Sequence, residues 1–596
     1  MNTGLAPSHE SEAASQPWPA AWRTAVLLSV VVVLTFAVYA GALNFQFVYD
    51  DTVQIVYNPA VQSWQNLPRL FAEQVWSGQS GVAPNYYRPV FMAWCLLCFK
   101  IFGLKPAWWH LGVIVVHLVA TALVFLLARN LTADDITAFV AALLFGLHPI
   151  HVESVAWISG VTDPLMAVFC LGSFLCYLRF RQDVARRGWW LAASLVQFGL
   201  ACMSKEPGIV LVAIVACHAW LAAHGKSTFA RLRQVLVHAA PFAFVATLYL
   251  LQRSRALSGL AHPVAPLPLA KIPLSWPKVW WFYLSKLVLP IRLSLFYDTH
   301  YVLSPTWSDF WQALLLVFVV AAAVYVVIRR LPSGGQPSPR SIAWLSVAWI
   351  VFPLFPAMNI LSLEPGEIVH DRYLYLPSVG FAILLAMAIR RLRVGSRKIL
   401  GLPAVQFACV VLLAGACAAS TVRQSLYWAN DFLLYYRGVA VSPNSLNALN
   451  ALANALIERD DYDEGIRMHE RILRANPDFW QSQFALGNAL FKVGRFQESE
   501  QHLAQAARLH PDAPQIAMYL AIAQMKNQHF DDAERSVRRA IDASPNTLGG
   551  HYVLGLVLEQ RGRWKEAAAA FRQELALDAN QPKVQEELAR AERQGK

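Results

Sequence analysis

The chain has 596 residues, of which 56% are hydrophobic and 15% charged. That much apolar surface exceeds what a soluble core can hide, so an ordinary soluble protein is excluded and a bilayer must solvate part of the chain. The formal net charge of +12 does not point to a nucleic-acid partner, because the basic residues gather in short turns between apolar runs, where the positive-inside rule accounts for them.

Residues 1–20, rich in Ser, Ala, Pro and Glu without a basic start, read as a disordered tail rather than a cleaved signal. A transmembrane domain follows over 21–425. Apolar runs long enough to span lie near 22–42, 108–128, 134–152, 163–180, 188–204, 207–224, 234–252, 309–329, 342–358, 376–391 and 402–422, which predicts about eleven spans. Clusters at alternate turns mark the cytoplasmic side: Arg129; Arg179, Arg181, Arg186 and Arg187; Lys226, Arg231 and Arg233; Arg329, Arg330 and Arg340; and Arg390, Arg391, Arg393, Arg397 and Lys398. An odd number of spans then puts the N-terminus in the cytoplasm and the C-terminal part outside. The aromatic-rich segments 88–103 and 276–290, carrying Lys100 and Lys286, read as interfacial helices. Cysteines 170, 176, 202, 217, 409 and 417 fall in or beside apolar runs and read as small core residues. The Cys95-x-x-Cys98 pair lacks the context of a redox or metal motif.

After a linker over 426–443, the character changes. Pro443, Pro477, Pro511 and Pro545 are 34 residues apart, and so are Leu452-Ala453, Leu486-Gly487, Leu520-Ala521 and Leu554-Gly555. Two markers in one register define four tetratricopeptide repeats over 444–579, closed by a capping helix over 580–596. The chain is therefore all-α, a polytopic helix bundle followed by an α-solenoid. Asn447, Asn450, Asn454 and Asn488 are candidates to line a groove for extended peptide, since carboxamides hydrogen-bond backbone in either direction.

The predicted topology sends the polar motifs of the membrane part to one face. Asp50-Asp51 follows the first span, and a carboxylate there can take a proton from an attacking hydroxyl. His148-Pro-Ile-His151-Val-Glu153 leads to Asp163, and His148, His151, Glu153 and Asp163 are candidates for a divalent metal or for phosphate contacts. Arg88, Lys205 and Arg372 are the cations among these motifs that can neutralise a phosphate. Arg253 and Arg255 read as interfacial anchors, and His110 and His117 as packing residues. Ionisable groups at a membrane boundary are costly and mark a site by default.

The ordered series Phe-Val-Tyr-Asp50-Asp51, Tyr-Tyr-Arg88-Pro, Leu-His148-Pro-Ile-His151-Val-Glu153 through Asp163, Ser-Lys205-Glu206-Pro-Gly208, Leu-Pro290-Ile-Arg-Leu-Ser-Leu-Phe-Tyr297 and His-Asp371-Arg372-Tyr-Leu-Tyr-Leu-Pro377 resembles the transmembrane-and-tetratricopeptide O-mannosyltransferases and their bacterial relatives. The resemblance implies the GT-C glycosyltransferase fold and a polyprenyl- or dolichyl-phosphate sugar donor. It also implies a protein acceptor, with Asp50 as the base, Asp51 as its neighbour, and Glu153 or Asp163 as a further acid. Arg88, Lys205, His148, His151 and Arg372 are then the candidates to bind the phosphate of that donor. The family often has Gly-Arg-x-Asp where this chain reads Gly160-Val161-Thr162-Asp163, so Arg88 or Arg372 must serve in place of that arginine. The expected setting is a bacterial inner membrane with the repeats in the periplasm. Two other classes stay open on sequence alone: a polymerase, ligase or flippase for lipid-linked polysaccharide, and a non-catalytic membrane-anchored scaffold.

Overall fold

A computed structural model describes residues 20–75, 86–223, 227–259, 267–335, 337–360, 367–392, 397–399 and 402–596. The expected disordered tail, and Lys226 and Arg393 among the basic turns, lie outside the described residues. The described residues are mostly helical, and the chain divides into two compact units, Met1–Leu295 with Thr299–Leu433, and Phe296–Asp298 with Leu434–Lys596. The boundary falls inside a helix, Asp431–Val441, within the segment read as a linker.

In the first unit, seven helices among the described residues are long and apolar enough to cross a membrane: Ala21–Asn44, Pro106–Thr132, Ser159–Gln182, Thr228–Leu257, Trp307–Arg329, Pro339–Met358 and Ala404–Trp428. An eighth is a bent pair, Asp135–Leu147 and Pro149–Ala156, which meet at 46° where Pro149 removes a backbone donor. Eleven spans are thus not reproduced by length and apolarity. The runs near 188–204, 207–224 and 376–391 fold as Arg187–Ser204, Leu211–Ala222 and Pro377–Ile389, of 18, 12 and 13 residues. Pro89–Phe102 and Ile272–Val288, the segments read as interfacial, are helices of 14 and 17 residues.

The unit has two chemically distinct ends. At one, arginines hold the turns together: Arg23 and Arg129 reach Asp135 at 3.7 and 2.7 Å, Arg390 reaches Asp134 at 3.2 Å, and Arg340 donates to the carbonyl of Arg329 at 2.8 Å. At the other lie Asp50, Arg88, Glu153, Asp163, Lys205 and Arg372. The three shorter helices run between the same ends. Trp190 bonds Asp183 at the start of one that finishes at Lys205, while Ser378 bonds His151 at the start of one that finishes at Arg390. The third starts at the Glu206 turn and carries His218 to Arg181.

In the second unit, four helix pairs follow the 34-residue period: Leu446–Glu458 with Tyr462–Ala475, Trp480–Lys492 with Phe496–Leu509, Pro514–Lys526 with Phe530–Ala543, and Gly550–Gln560 with Trp564–Leu577. Pro582–Gln594 follows them. The period has a packing cause. The small residues Ala453, Gly487, Ala521 and Gly555 stand at one position of the repeat, and His469, Leu503, Val537 and Phe571, fully or almost fully buried, at another. A Cβ at Gly487 would lie 2.6 Å from the Leu503 side chain, and one at Gly555 2.3 Å from the Phe571 ring, so the small residue is what lets each helix seat its partner.

Close approach also governs the first unit. A Cβ at Gly380 would stand 2.1 Å from the Ser346 carbonyl oxygen, whereas one at Gly415 would meet nothing within 4 Å. Gly380→Ala is expected to destabilise the full chain by about 1–3 kcal/mol through overpacking. Gly415→Ala should not, as read from thermal unfolding of the detergent-solubilised protein.

Candidate active site

The first span ends in a 3-10 turn, Ala40–Asn44, and the chain then runs extended to Tyr49, whose φ of 55° is left-handed. A bulky residue there carries about 1–3 kcal/mol of strain. It is held by outside contacts, with Tyr49 N–H donating to Asp431 Oδ1 at 2.8 Å and Gln46 N–H to the Ala429 carbonyl at 3.1 Å. The turn separates two adjacent carboxylates into different roles. Asp51 is fully buried: one oxygen accepts from the Ser159 N–H at 2.8 Å and the Ser159 hydroxyl at 2.6 Å, and the other from Val48 N–H at 3.2 Å. Asp50 accepts from the Gln54 side-chain amide at 3.2 Å and lies in the field of Arg372 and Arg88.

Burial raises the Asp50 carboxyl from 3.8 to about 6, against the opposing pull of Arg372 and Arg88. It raises Asp51 to about 7, against the donors from Ser159 and Val48. An Asp50 of this basicity stays largely ionised at neutral pH yet is a stronger base than an exposed aspartate.

Around these lie buried and half-buried ion pairs drawn from distant parts of the chain. Arg88 grips Glu206 with two nitrogens at 3.1 and 2.9 Å, and Arg253 meets the same carboxylate at 3.0 Å. Lys205 Nζ lies 2.7 and 2.6 Å from the two oxygens of Asp163. Arg372 pairs with Glu153 through its guanidinium, and its backbone N–H donates to the same carboxylate at 3.0 Å. Aromatic faces wall the cations: Tyr86 lies 4.5 Å from Arg88, Tyr373 is 5.2 Å from Lys205 and 5.5 Å from Arg372, and Trp157 is 5.6 Å from Arg372. Four cations (Arg88, Lys205, Arg253, Arg372) face three paired carboxylates (Glu153, Asp163, Glu206), so the pairs leave one positive charge over, 4 − 3, before Asp50 and Asp51 are counted.

Other expected site residues are engaged elsewhere. His148 caps the turn after the break, its Nδ1 accepting from Ile150 N–H at 3.2 Å while Nε2 bonds the Leu287 carbonyl at 3.2 Å. His151 bonds the Ser378 hydroxyl at 2.8 Å and packs against Tyr375 and Phe145. Among the described residues no three His, Cys, Asp or Glu side chains gather as a metal set. His148, His151, Glu153 and Asp163 do not converge because each already has its own partner. Arg253, read as an anchor, is instead buried on Glu206. Its signal in the sequence was an arginine just inside the C-terminal end of a long helix, Thr228–Leu257. Ser159 gave no signal, since nothing in its spacing marks it as the partner of Asp51. In the repeats, Asn450 accepts from the Ser482 hydroxyl at 3.0 Å, which also meets His469 at 3.1 Å, while the Asn488 side-chain oxygen is buried without a hydrogen bond.

Fold and site together define a polytopic helical membrane protein with a carboxylate and guanidinium cluster at one end of its bundle, followed in the chain by tetratricopeptide repeats. Residues 96–261 match the dolichyl-phosphate-mannose-protein mannosyltransferase family, and 450–514 and 518–582 match the tetratricopeptide repeat. Similar curated proteins include protein O-mannosyl-transferase F38B6.6 of Caenorhabditis elegans, 26% identical over 76% of this chain and 63% of that one. Human protein O-mannosyl-transferase TMTC1 is 25% identical over 74% and 54%. The chain is thus a homologue of the transmembrane-and-tetratricopeptide protein O-mannosyl-transferases, with the mannosyltransferase domain followed by the repeats. It spans from about half to just under two thirds of the length of these relatives. The solved structure of MamA, with a TM-score of 0.23 and 19% identity, covers 24% of this chain and 83% of its own.

The Lys205 and Asp163 pair tests how the cluster is held. Breaking a buried pair from one side leaves an unpaired charge and costs about 3–5 kcal/mol, whereas replacing both partners costs far less. Lys205→Met and Asp163→Asn should each lower the unfolding midpoint sharply, and the double variant should recover much of the loss.

Proposed function

We propose that this protein is a membrane glycosyltransferase that moves mannose from a polyprenyl-phosphate donor to Ser or Thr hydroxyls of a protein acceptor. The observation that carries the reading is the unequal treatment of the two aspartates. Asp51 is locked by three hydrogen bonds, and Asp50 lies beside Arg88 and Arg372 with a raised affinity for protons.

In this mechanism Asp50 takes the hydroxyl proton as the acceptor oxygen attacks C1 of the sugar. The C1–O bond to phosphate breaks, with inversion, in a single displacement. The donor phosphodiester carries one negative charge, and the released phosphomonoester gains a second. The cations Arg88, Arg372 and Lys205 meet that developing charge, in keeping with the positive charge left over among the paired groups. Asp51 positions the turn that carries Asp50, while Glu153 and Asp163 hold Arg372 and Lys205 in place. His148 and His151 support the wall behind the donor phosphate. The base supplies about 10² to 10⁴ in rate.

The arginine-rich end of the bundle supports a cytoplasmic assignment for that end by the positive-inside rule. The site then faces the outside, with the bacterial periplasm as the setting. The repeats offer the acceptor polypeptide a groove containing Asn447, Asn454 and Asn488, with Asn450 bracing it through Ser482.

The test is transfer of labelled sugar from polyprenyl-phosphate mannose to Ser/Thr peptides by the purified full chain. Asp50→Asn should lower transfer by about 10²- to 10⁴-fold, and wild-type kcat/KM should fall tenfold per unit below about pH 6, following the Asp50 carboxyl. Because that carboxyl is raised from 3.8 to about 6, its contribution to stability is fully present below about pH 4 and is lost as pH rises through 6. Asp50→Asn should therefore be no less heat-stable than wild type at neutral pH, which separates loss of the base from loss of the fold. Equal transfer by both proteins would remove Asp50 from the mechanism. Label appearing in a lipid-linked glycan instead of peptide would favour the polysaccharide reading.

A further inference from the structure

A cavity lies at the opposite end of the bundle from Asp50. Its volume is about 600 Å³, and Arg23, Arg129 and Arg179 line it together with Trp190, Leu126 and Leu175. These arginines close three separate spans: Arg23 opens Ala21–Asn44, Arg129 is in the last turn of Pro106–Thr132, and Arg179 is in the last turn of Ser159–Gln182. Asp163 and Arg179 occupy the same helix sixteen residues apart, which at 1.5 Å per residue separates the two sites by about 24 Å. That distance approaches the thickness of the hydrocarbon core, so the cavity belongs to the other membrane surface.

Its charge is not balanced from within. Arg129 and Arg23 share one carboxylate, Asp135, at 2.7 and 3.7 Å. Asp134, the other acid of the cavity, is already occupied by the helix start at Ile136 and Thr137 and by Arg390. Arg179 is exposed and pairs with no carboxylate among the described residues. Three arginines against Asp135 leave two positive charges, 3 − 1, facing the cavity. The Arg23 Nε, moreover, is shielded from water and makes no hydrogen bond. Guanidinium groups presented this way match a phosphate. The walls add a second requirement. Leu126 and Leu175 lie one turn deeper than Arg129 and Arg179 on their helices, toward the bilayer interior, so the cavity is cationic at its mouth and apolar below. A free phosphate makes no use of that lower wall, whereas a lipid fills both halves. Trp190 also lines the cavity, its indole N–H on Asp183 at 3.1 Å, an amphipathic ring of the kind found at membrane interfaces.

The geometry points to a binding site for the headgroup of an anionic phospholipid, with Arg23, Arg129 and Arg179 on the phosphate and Leu126 and Leu175 along the start of an acyl chain. Basic pockets between membrane helices on the cytoplasmic side are suited to such lipids. The assignment does not depend on the transferase reading.

The test uses the full chain, delipidated in detergent, with thermal unfolding followed as lipid is added. Phosphatidylglycerol should raise the unfolding midpoint with half-saturation at least tenfold below that of phosphatidylethanolamine bearing the same chains, and inorganic phosphate at the same concentration should not reproduce the shift. Arg179→Gln and, independently, Arg23→Gln should weaken the phosphatidylglycerol response about tenfold. Arg330→Gln, which alters an exposed arginine outside the cavity, should leave it unchanged. Equal responses to the two lipids, an undiminished response in both cavity variants, or an equal loss in Arg330→Gln would overturn the site. A full effect from inorganic phosphate alone would overturn its assignment to a lipid.

Discussion

The cost of burying charge organises the membrane unit. An ion withdrawn from water pays several kcal/mol even after the protein relaxes around it, and a partner repays that only with good geometry. Glu206 meets two arginines, Asp163 meets Lys205 with both oxygens, and Glu153 meets Arg372 through side chain and backbone. Each pair joins segments far apart in the chain, so the loops at this end cannot settle independently. The pairs also fix what is left over: cations whose charge exceeds that of their carboxylates, gathered near an aspartate that none of them directly neutralises.

Adjacent residues of one type come to differ through this arrangement. Asp50 and Asp51 have the same side chain, yet Asp51 is bolted down by three hydrogen bonds and Asp50 accepts one, from Gln54. The bolt is Ser159, which reaches Asp51 from beyond the broken span and ties the first turn to the segment that carries Glu153 and Asp163. The left-handed Tyr49 is the local cost of turning the backbone so sharply, and the Asp431 contact holds it there. A group kept ionised against its burial is a second cost at the same place, and such costs collect where function requires them.

The two ends of the bundle divide electrostatic labour. One holds charges in matched pairs around a small surplus, while the other holds arginines at the mouths of spans, where headgroup phosphates are at hand. The repeat unit works by shape instead. Its small residue on one helix and large residue on the next recur with the period of the chain, so the packing of one pair is the packing of all four.

Much of this was legible in the chain. The 34-residue spacing of Pro443 to Pro545 and of Ala453 to Gly555 is local and repetitive, so it specified the helix pairs without tertiary information. Apolar length located most of the spans for the same reason, since a helix in lipid satisfies its own backbone. The residues near the site were also visible, because Asp50, Arg88, Glu153, Asp163, Lys205 and Arg372 stand out against apolar surroundings. Their partnerships were not visible. That Arg253 belongs with Glu206 and that Ser159 fixes Asp51 depend on residues brought together from 47 and 108 positions apart, while the His148 cap and the bend of the run at 134–152 depend on how the break at Pro149 is accommodated. Composition and period are properties of neighbours in sequence and determined the helices and the kinds of charge at each end. Which charge meets which is a property of neighbours in space, and only the packed bundle decided it.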